Sequence, residues 1–233
     1  MREGFQLIPA VDVVGVEAVR LRQGAFDDVV ARAGDPAELV TRFAAGRPPF
    51  VHVVDLDGAR AGRIRPELVG RLAAAAAPTP VQASGGIRSL DDASALLAAG
   101  AARVVVGTAA LESPRTLAEL AAAFEERLVV AVDARAGRVA VAGWSRVTEL
   151  APDEFAERCA EAGVRRLLCT AIDRDGTMAG PDLALLERVR DRSGLPVLAA
   201  GGVRSDEDVE ALAALGLEGA VVGRAALEGT VTL

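Results

Sequence analysis

Apolar residues gather along this chain into short unbroken runs, each closed by a glycine or an acid and followed by a stretch with helical spacing. LIPAVDV opens the series, and FVHVVDLD, VQASGG, RVVVGTA, LVVAVDA, RLLCTAID, VLAAGG and GAVVGRA continue it. Such runs lack the polar alternation of a half-exposed strand and suit a parallel sheet covered on both faces. The stretches between them carry helix-start signals. Asp35-Pro36 precedes Leu39, Val40 and Phe43, Ser89 precedes Asp91 and Asp92, Pro114 opens a third helix, and Ser205 with Asp206 caps a fourth. Eight strands alternating with helices predict an α/β fold, the closed (β/α)8 TIM barrel. Three segments interrupt the rhythm. VGVEAVRLRQG turns back as a short strand pair carrying Arg20 and Arg22, FDDVVARAG reads as a longer loop, either a polar lid or plain surface, and a RVAVAGW ribbon presents Trp144.

The pattern is written twice. Residues 80–112 and 196–228 align without a gap at an offset of 116 (Pro196 minus Pro80), with 19 of 33 positions identical. Upstream, VHVVDLDGARAG matches LLCTAIDRDGTMAG at an offset of 118, pairing Asp55 with Asp173 and Asp57 with Asp175. IPAVDV matches VVAVDA at 121, pairing Asp12 with Asp133. Drift of a few residues is what small loop insertions between two homologous halves produce. One domain over 1–233 is expected, built from half-barrels of about 1–117 and 118–233. The second half stops early. Leu233 corresponds to Leu117, so the eighth helix is expected to be short or missing, leaving apolar barrel surface exposed or covered by a partner.

Composition narrows the chemistry. With 26 basic and 33 acidic residues and a net charge of −7, the chain is not expected to bind nucleic acid or an anionic membrane. No run is long and apolar enough to span a bilayer and no signal peptide opens the chain, so a cytoplasmic location is expected. A monomer is expected as well. Every basic residue except His52 is Arg. A barrel without lysine cannot form a Schiff base with a carbonyl substrate or pyridoxal phosphate. One histidine and two cysteines, Cys159 and Cys169, give no metal or redox spacing, so no metal centre is expected. Carboxylates, hydroxyls, Arg and backbone amides are left to do the chemistry.

Active sites of this fold lie at the carboxyl rim of the strands. Asp12 and Asp133 end the first and fifth strands, which face each other across an eight-stranded barrel. Ser84, Gly85 and Gly86 with Arg88, then Gly107 and Thr108, end the third and fourth. Gly201 and Gly202, then Gly223 and Arg224, repeat that arrangement after the seventh and eighth. Glycine corners leave backbone amides uncovered where a phosphate can approach, although they also simply permit tight turns. Two facing anion sites imply a small-molecule substrate with a phosphate at each end. Its centre would sit between two carboxylates, one protonating an oxygen and the other removing a carbon-bound proton, as in an aldose-to-ketose shift. The acid needs a raised pKa and the base an ordinary one, which unequal burial supplies. Thr170, Asp175 and Gly176 reach the same rim from the sixth strand, and Arg20 from the ribbon. His52 is either a packed core residue or a substrate contact, and Trp144 either covers the core or stacks on a planar ring.

At IPAVDVVGVEAVRLRQG, HVVDLDGA, SGGIR, VVGTAAL, GW, DGTMAGPD and AAGGVRS, nearly the whole chain resembles the histidine-biosynthesis isomerases acting on N'-(5'-phosphoribosyl)formimino-5-aminoimidazole-4-carboxamide ribonucleotide (ProFAR). That resemblance implies an Amadori rearrangement of a bisphosphate without metal or cofactor. It implies Asp12 as proton acceptor, Asp133 as donor, Thr170 and Asp175 as assisting residues and Trp144 as a stacking residue. The cyclase subunit of imidazole glycerol phosphate synthase shares the barrel and both aspartates but lacks the VRLxQG ribbon. Actinobacterial relatives also act on phosphoribosylanthranilate in tryptophan synthesis, and the GTMAGPD loop and all-Arg composition resemble that group. Those dual enzymes carry Arg directly before Gly-Trp, where this chain has Ala142. A barrel that binds a phosphorylated ligand or a glutaminase partner without catalysis is the reading from a different class.

Overall fold

The computed structural model describes residues 4–233, without the side chain of Phe26. In chain order the strands are β1 (Gln6–Val14), β2 (Glu17–Arg22), β3 (Ala25–Gly34), β4 (Val51–Asp55), β5 (Val81–Ser84), β6 (Arg103–Val106), β7 (Leu128–Arg135), β8 (Arg138–Val141), β9 (Arg146–Val147), β10 (Leu167–Ala171), β11 (Val197–Ala200) and β12 (Gly219–Val222). The helices are α1 (Pro36–Ala44), α2 (Leu56–Ala61), α3 (Pro66–Ala76), α4 (Leu90–Ala98), α5 (Thr108–Glu112), α6 (Pro114–Phe124), α7 (Pro152–Glu161), α8 (Leu183–Ser193), α9 (Asp206–Ala214) and α10 (Arg224–Glu228). Eight strands pair in parallel in the order β10-β11-β12-β1-β4-β5-β6-β7, and β7 returns to β10, so the sheet closes into the barrel. Closure leaves no edge among these staves.

Alternation along each stave sorts its side chains. Ile8, Ala10, Val105, Val129, Leu168, Leu198 and Val221 form one cluster inside the barrel. Their neighbours Leu7, Val11, Val104, Val106, Leu167 and Cys169 join the larger cluster against the helices. Both faces are therefore apolar, which is why the sequence shows continuous runs. Both cysteines are buried and free, and burial pushes the Cys159 thiol up to about 12.

Helix starts follow from local chemistry. Asp35 accepts from the Ala37 amide ahead of α1, and Ser89 and Asp92 form a reciprocal capping box at α4. Ser205 departs from expectation: its side chain makes no cap bond, and Asp208 accepts from the Arg204 amide instead.

Two segments fold differently from their expected form. FDDVVARAG is not a loop but most of β3, paired antiparallel with β2 through several register shifts. The apolar face below the short eighth helix is not bare. After α10 the chain turns at Gly229, the Thr232 amide donates to Asp206, and Val231 is only 6% exposed in the main core. Leu233 packs there too, beside Gly46.

Candidate active site

Register establishes the two-fold relation inside the barrel. Asp12 pairs with Val54 on β4, and Asp133 pairs with Thr170 on β10. Val51 pairs with Val81 and Leu167 with Val197, so the 116 offset holds at this level and Val54 corresponds to Thr170. Asp12 and Asp133 thus hold equivalent positions on opposed staves. The same register corrects one pairing: Asp55 corresponds to Ala171, not Asp173. Two residues are inserted in the second loop before Gly62 and Gly180 realign, where Arg88 and Arg204 lie over them in matching fashion. Asp55 is structural, accepting from the Gly58 amide at 2.8 Å and from Arg65. Asp173 accepts from the Ala136 amide outside the pocket.

All eighteen site residues chosen from sequence line one pocket at the carboxyl rim. The four glycine corners fall into two groups, on adjacent β5 and β6 and on adjacent β11 and β12. Glycine has a steric reason at the first corner of each group. A Cβ on Gly85 would stand 2.3 Å from the Asp55 carbonyl oxygen, and one on Gly201 2.5 Å from that of Ala171. Gly107 and Gly223 instead precede the short helices α5 and α10, and Thr108 and Arg224 at the starts of those helices line the pocket.

The two acids have different company. Asp12 accepts a short hydrogen bond from Arg20, whose other Nη reaches Asp175 at 3.5 Å. Asp133 accepts from the Trp144 indole Nε1 at 2.8 Å and has the Thr170 hydroxyl beside it. Burial raises the pKa of both carboxyls above the ordinary carboxylate value; Arg20 opposes the rise at Asp12, and only neutral donors oppose it at Asp133. The expected contrast between an ordinary and a raised acid therefore takes another form. Both are raised, and the difference lies in a cation beside one and none beside the other.

The ribbons close over this mouth. The Trp144 ring packs on Gly24 at the β2–β3 turn, its carbonyl accepts from Arg135, and Arg135 also donates to the Gln23 carbonyl. The Gln23 amide donates to the Asp175 carbonyl, and Gly176 accepts from Arg224 at 3.1 Å. Arg20 lies against Gly223, where its guanidinium fills the space a Cβ would need. Ala142 donates its amide to Thr108.

Sequence reasoning missed Arg60 in α2 and Met178 in the loop after β10, both of which line the pocket. At the 118 offset they are equivalent, so the repeat itself carried that signal. It also missed Gln82 and Arg103, buried inside the barrel beneath His52. Among the described residues no three His, Cys, Asp or Glu side chains group as a metal site, and no helix is long and apolar enough to cross a membrane.

Comparison with known proteins places this geometry in a lineage. A histidine biosynthesis protein family model matches residues 6–232. A Sorangium cellulosum protein is 47% identical over 235 residues, covering 98% of this chain and 96% of its own. A Thermomicrobium roseum protein is 46% identical over 228 residues, 97% of this chain and 93% of its own. One from Synechococcus is 41% identical over 229 residues, 98% and 91%. Each is named 1-(5-phosphoribosyl)-5-((5-phosphoribosylamino)methylideneamino)imidazole-4-carboxamide isomerase, the full name of ProFAR isomerase. With eight parallel staves closed on themselves and matches running nearly end to end, this chain belongs to the histidine biosynthesis protein family.

Proposed function

We propose that the chain is a ProFAR isomerase of histidine biosynthesis, converting the aminoaldose of its bisphosphate substrate to the aminoketose. The observation that carries this reading is the pair of enclosed carboxyls at equivalent positions of opposed staves, one beside a cation and one beside neutral donors only. Asp133, with no cation beside it, holds its proton and gives it to the ribose ring oxygen. The bond from that oxygen to C1 then breaks and leaves an iminium at C1. Asp12, kept anionic by Arg20, removes the proton from C2, and the electron pair neutralises the iminium as an enolamine. The enol proton is lost and C1 gains one, giving the ketone with no net proton change. Burial strengthens every one of these electrostatic interactions.

Gly85, Gly86, Gly107 and Thr108 hold one phosphate in this reading, and Gly201, Gly202, Gly223 and Arg224 the other, with the first amides of α5 and α10 as donors. Arg20 must move off Gly223 or become a ligand of that phosphate. Thr170 and Asp175 assist, Ser84, Arg88 and Gly176 line the substrate, and Trp144 stacks over it. The relatives' names give no support to a second activity on phosphoribosylanthranilate. Purified protein offered each substrate in turn tests the reading: turnover of ProFAR alone is expected. Bisphosphate binding without turnover would make this a binding barrel.

A further inference from the structure

Inside the barrel, beneath the pocket, three polar side chains stand where apolar ones would be cheaper. His52, Gln82 and Arg103 sit on neighbouring staves, joined by the register His52 to Gln82 to Arg103, and none is more than 4% exposed. Burying such groups is tolerated only when their hydrogen bonds are made. Arg103 carries the largest burden: its Nη2 is buried with no partner among the described residues, and its charge rests on the Phe50 ring, 3.7 Å from the centroid.

The directions of the bonds in this row are fixed by elimination. Arginine has donors and no acceptor, so the Gln82 atom receiving the Arg103 Nε–H is the amide oxygen. Turning the amide over would set N–H against N–H. The Gln82 NH2 therefore faces His52, and its nitrogen lies 2.8 Å from Nδ1. A donor there requires a lone pair on Nδ1, which leaves the ring proton on Nε2. Burial, the Arg103 charge and the Arg20 charge together push the His52 pKa down to about 3, so the ring is uncharged at working pH. His52 lines the pocket and lies next to β1 in register with Ala10, two residues before Asp12, and the Gln82 backbone also contacts its ring.

We infer that Arg103 and Gln82 are positioning residues that hold His52 as the neutral Nε2–H tautomer, a fixed hydrogen-bond donor to a sugar oxygen beside the carbon that Asp12 deprotonates. The C2 oxygen, which gains electron density as the enol proton leaves on the way to the ketone, is the group such a donor serves. A neutral ring suits this place because an imidazolium would compete to protonate the base. The assignment of the oxygen rests on the isomerase reading; the tautomer does not.

His52 is the only histidine, so a nitrogen-15 spectrum of histidine-labelled protein reports this one ring. The expected spectrum shows Nδ1 unprotonated and Nε2 protonated, unchanged between about pH 5 and about pH 9. Gln82→Glu should move a proton onto Nδ1, because a carboxylate accepts from both neighbours, and lower kcat by roughly ten- to a hundredfold, as loss of an orienting partner commonly does. KM should change less than kcat, since the donor acts on charge that develops during reaction. A wild-type ring protonated on Nδ1, or doubly protonated at neutral pH, overturns the tautomer and with it the relay. A folded Gln82→Glu variant with a moved proton and wild-type kcat overturns the donor role. If the variant does not fold, Gln82→Met, which releases Nδ1, replaces it, and a ring still locked on Nε2–H with unchanged kcat counts against the relay. Failure of the isomerase reading looks different, since wild-type protein would then turn over no ProFAR whatever its ring shows.

Discussion

Asp133 is a residue whose two duties pull apart. Burial raises its pKa from 3.8, which shifts its equilibrium in the folded chain toward the carboxyl. The stability this gives is full below pH 3.8 and is lost as pH rises through the folded pKa. Asp133→Asn carries no such pH-dependent loss, so its melting temperature should exceed the parent's at neutral pH, with the gap closing below pH 3.8. The same variant should lose at least about a hundredfold in kcat, the range of a missing general acid, while bisphosphate binding measured by calorimetry persists. Trp144→Phe separates the partners further. The indole hydrogen bond lowers the Asp133 pKa, so removing it raises that pKa and shifts the alkaline limb of the kcat/KM profile upward. A downward shift would mean Asp133 does not act as the acid. The rim residues were legible because glycines and acids recur at strand ends in both halves. Gln82 and Arg103 were not, since one polar residue inside an apolar run looks the same whether it enters the barrel or marks a strand end.

At the scale of elements, the ribbons are what sequence described least well. The β2–β3 pair has an irregular register, and its period-two signal is blurred by shifts at Val19, Leu21 and Arg22. FDDVVARAG therefore reads as a loop although its backbone is a strand. Its turn supports Trp144, which gives a local test. A Cβ on Gly24 would sit 2.4 Å from the ring, and Gly24 has a φ of +72°, so Gly24→Ala must displace the indole. We expect kcat/KM to fall by up to about a hundredfold, with a change in emission from the only Trp and a lowered melting temperature, since Ala is strained at that φ. Unchanged emission would show that the indole stays in place. The mispaired Asp55 and Asp173 have a similar origin: both precede an Asp-Gly motif, and aligning the motif hid a two-residue insertion that only strand register reveals.

For the molecule as a whole, the barrel, its count of staves and its duplication were legible because closure on eight repeated units leaves few alternatives. The final segment was not, because five residues without helical spacing carry no pattern, yet they complete the wall. Val231→Asp should cost about 3 kcal/mol by putting an unpaired charge in that core, read as a lowered denaturation midpoint. The near two-fold mouth has a consequence for traffic through the enzyme. In the proposed reading, a substrate with a phosphate at each end would meet similar sockets on both sides and could dock either way round, with only one heading bringing its sugar carbons to Asp12. Where the halves differ, with His52 in the place of Leu168, Val54 in that of Thr170 and Arg60 in that of Met178, the mouth is not symmetric, and those differences would break that tie.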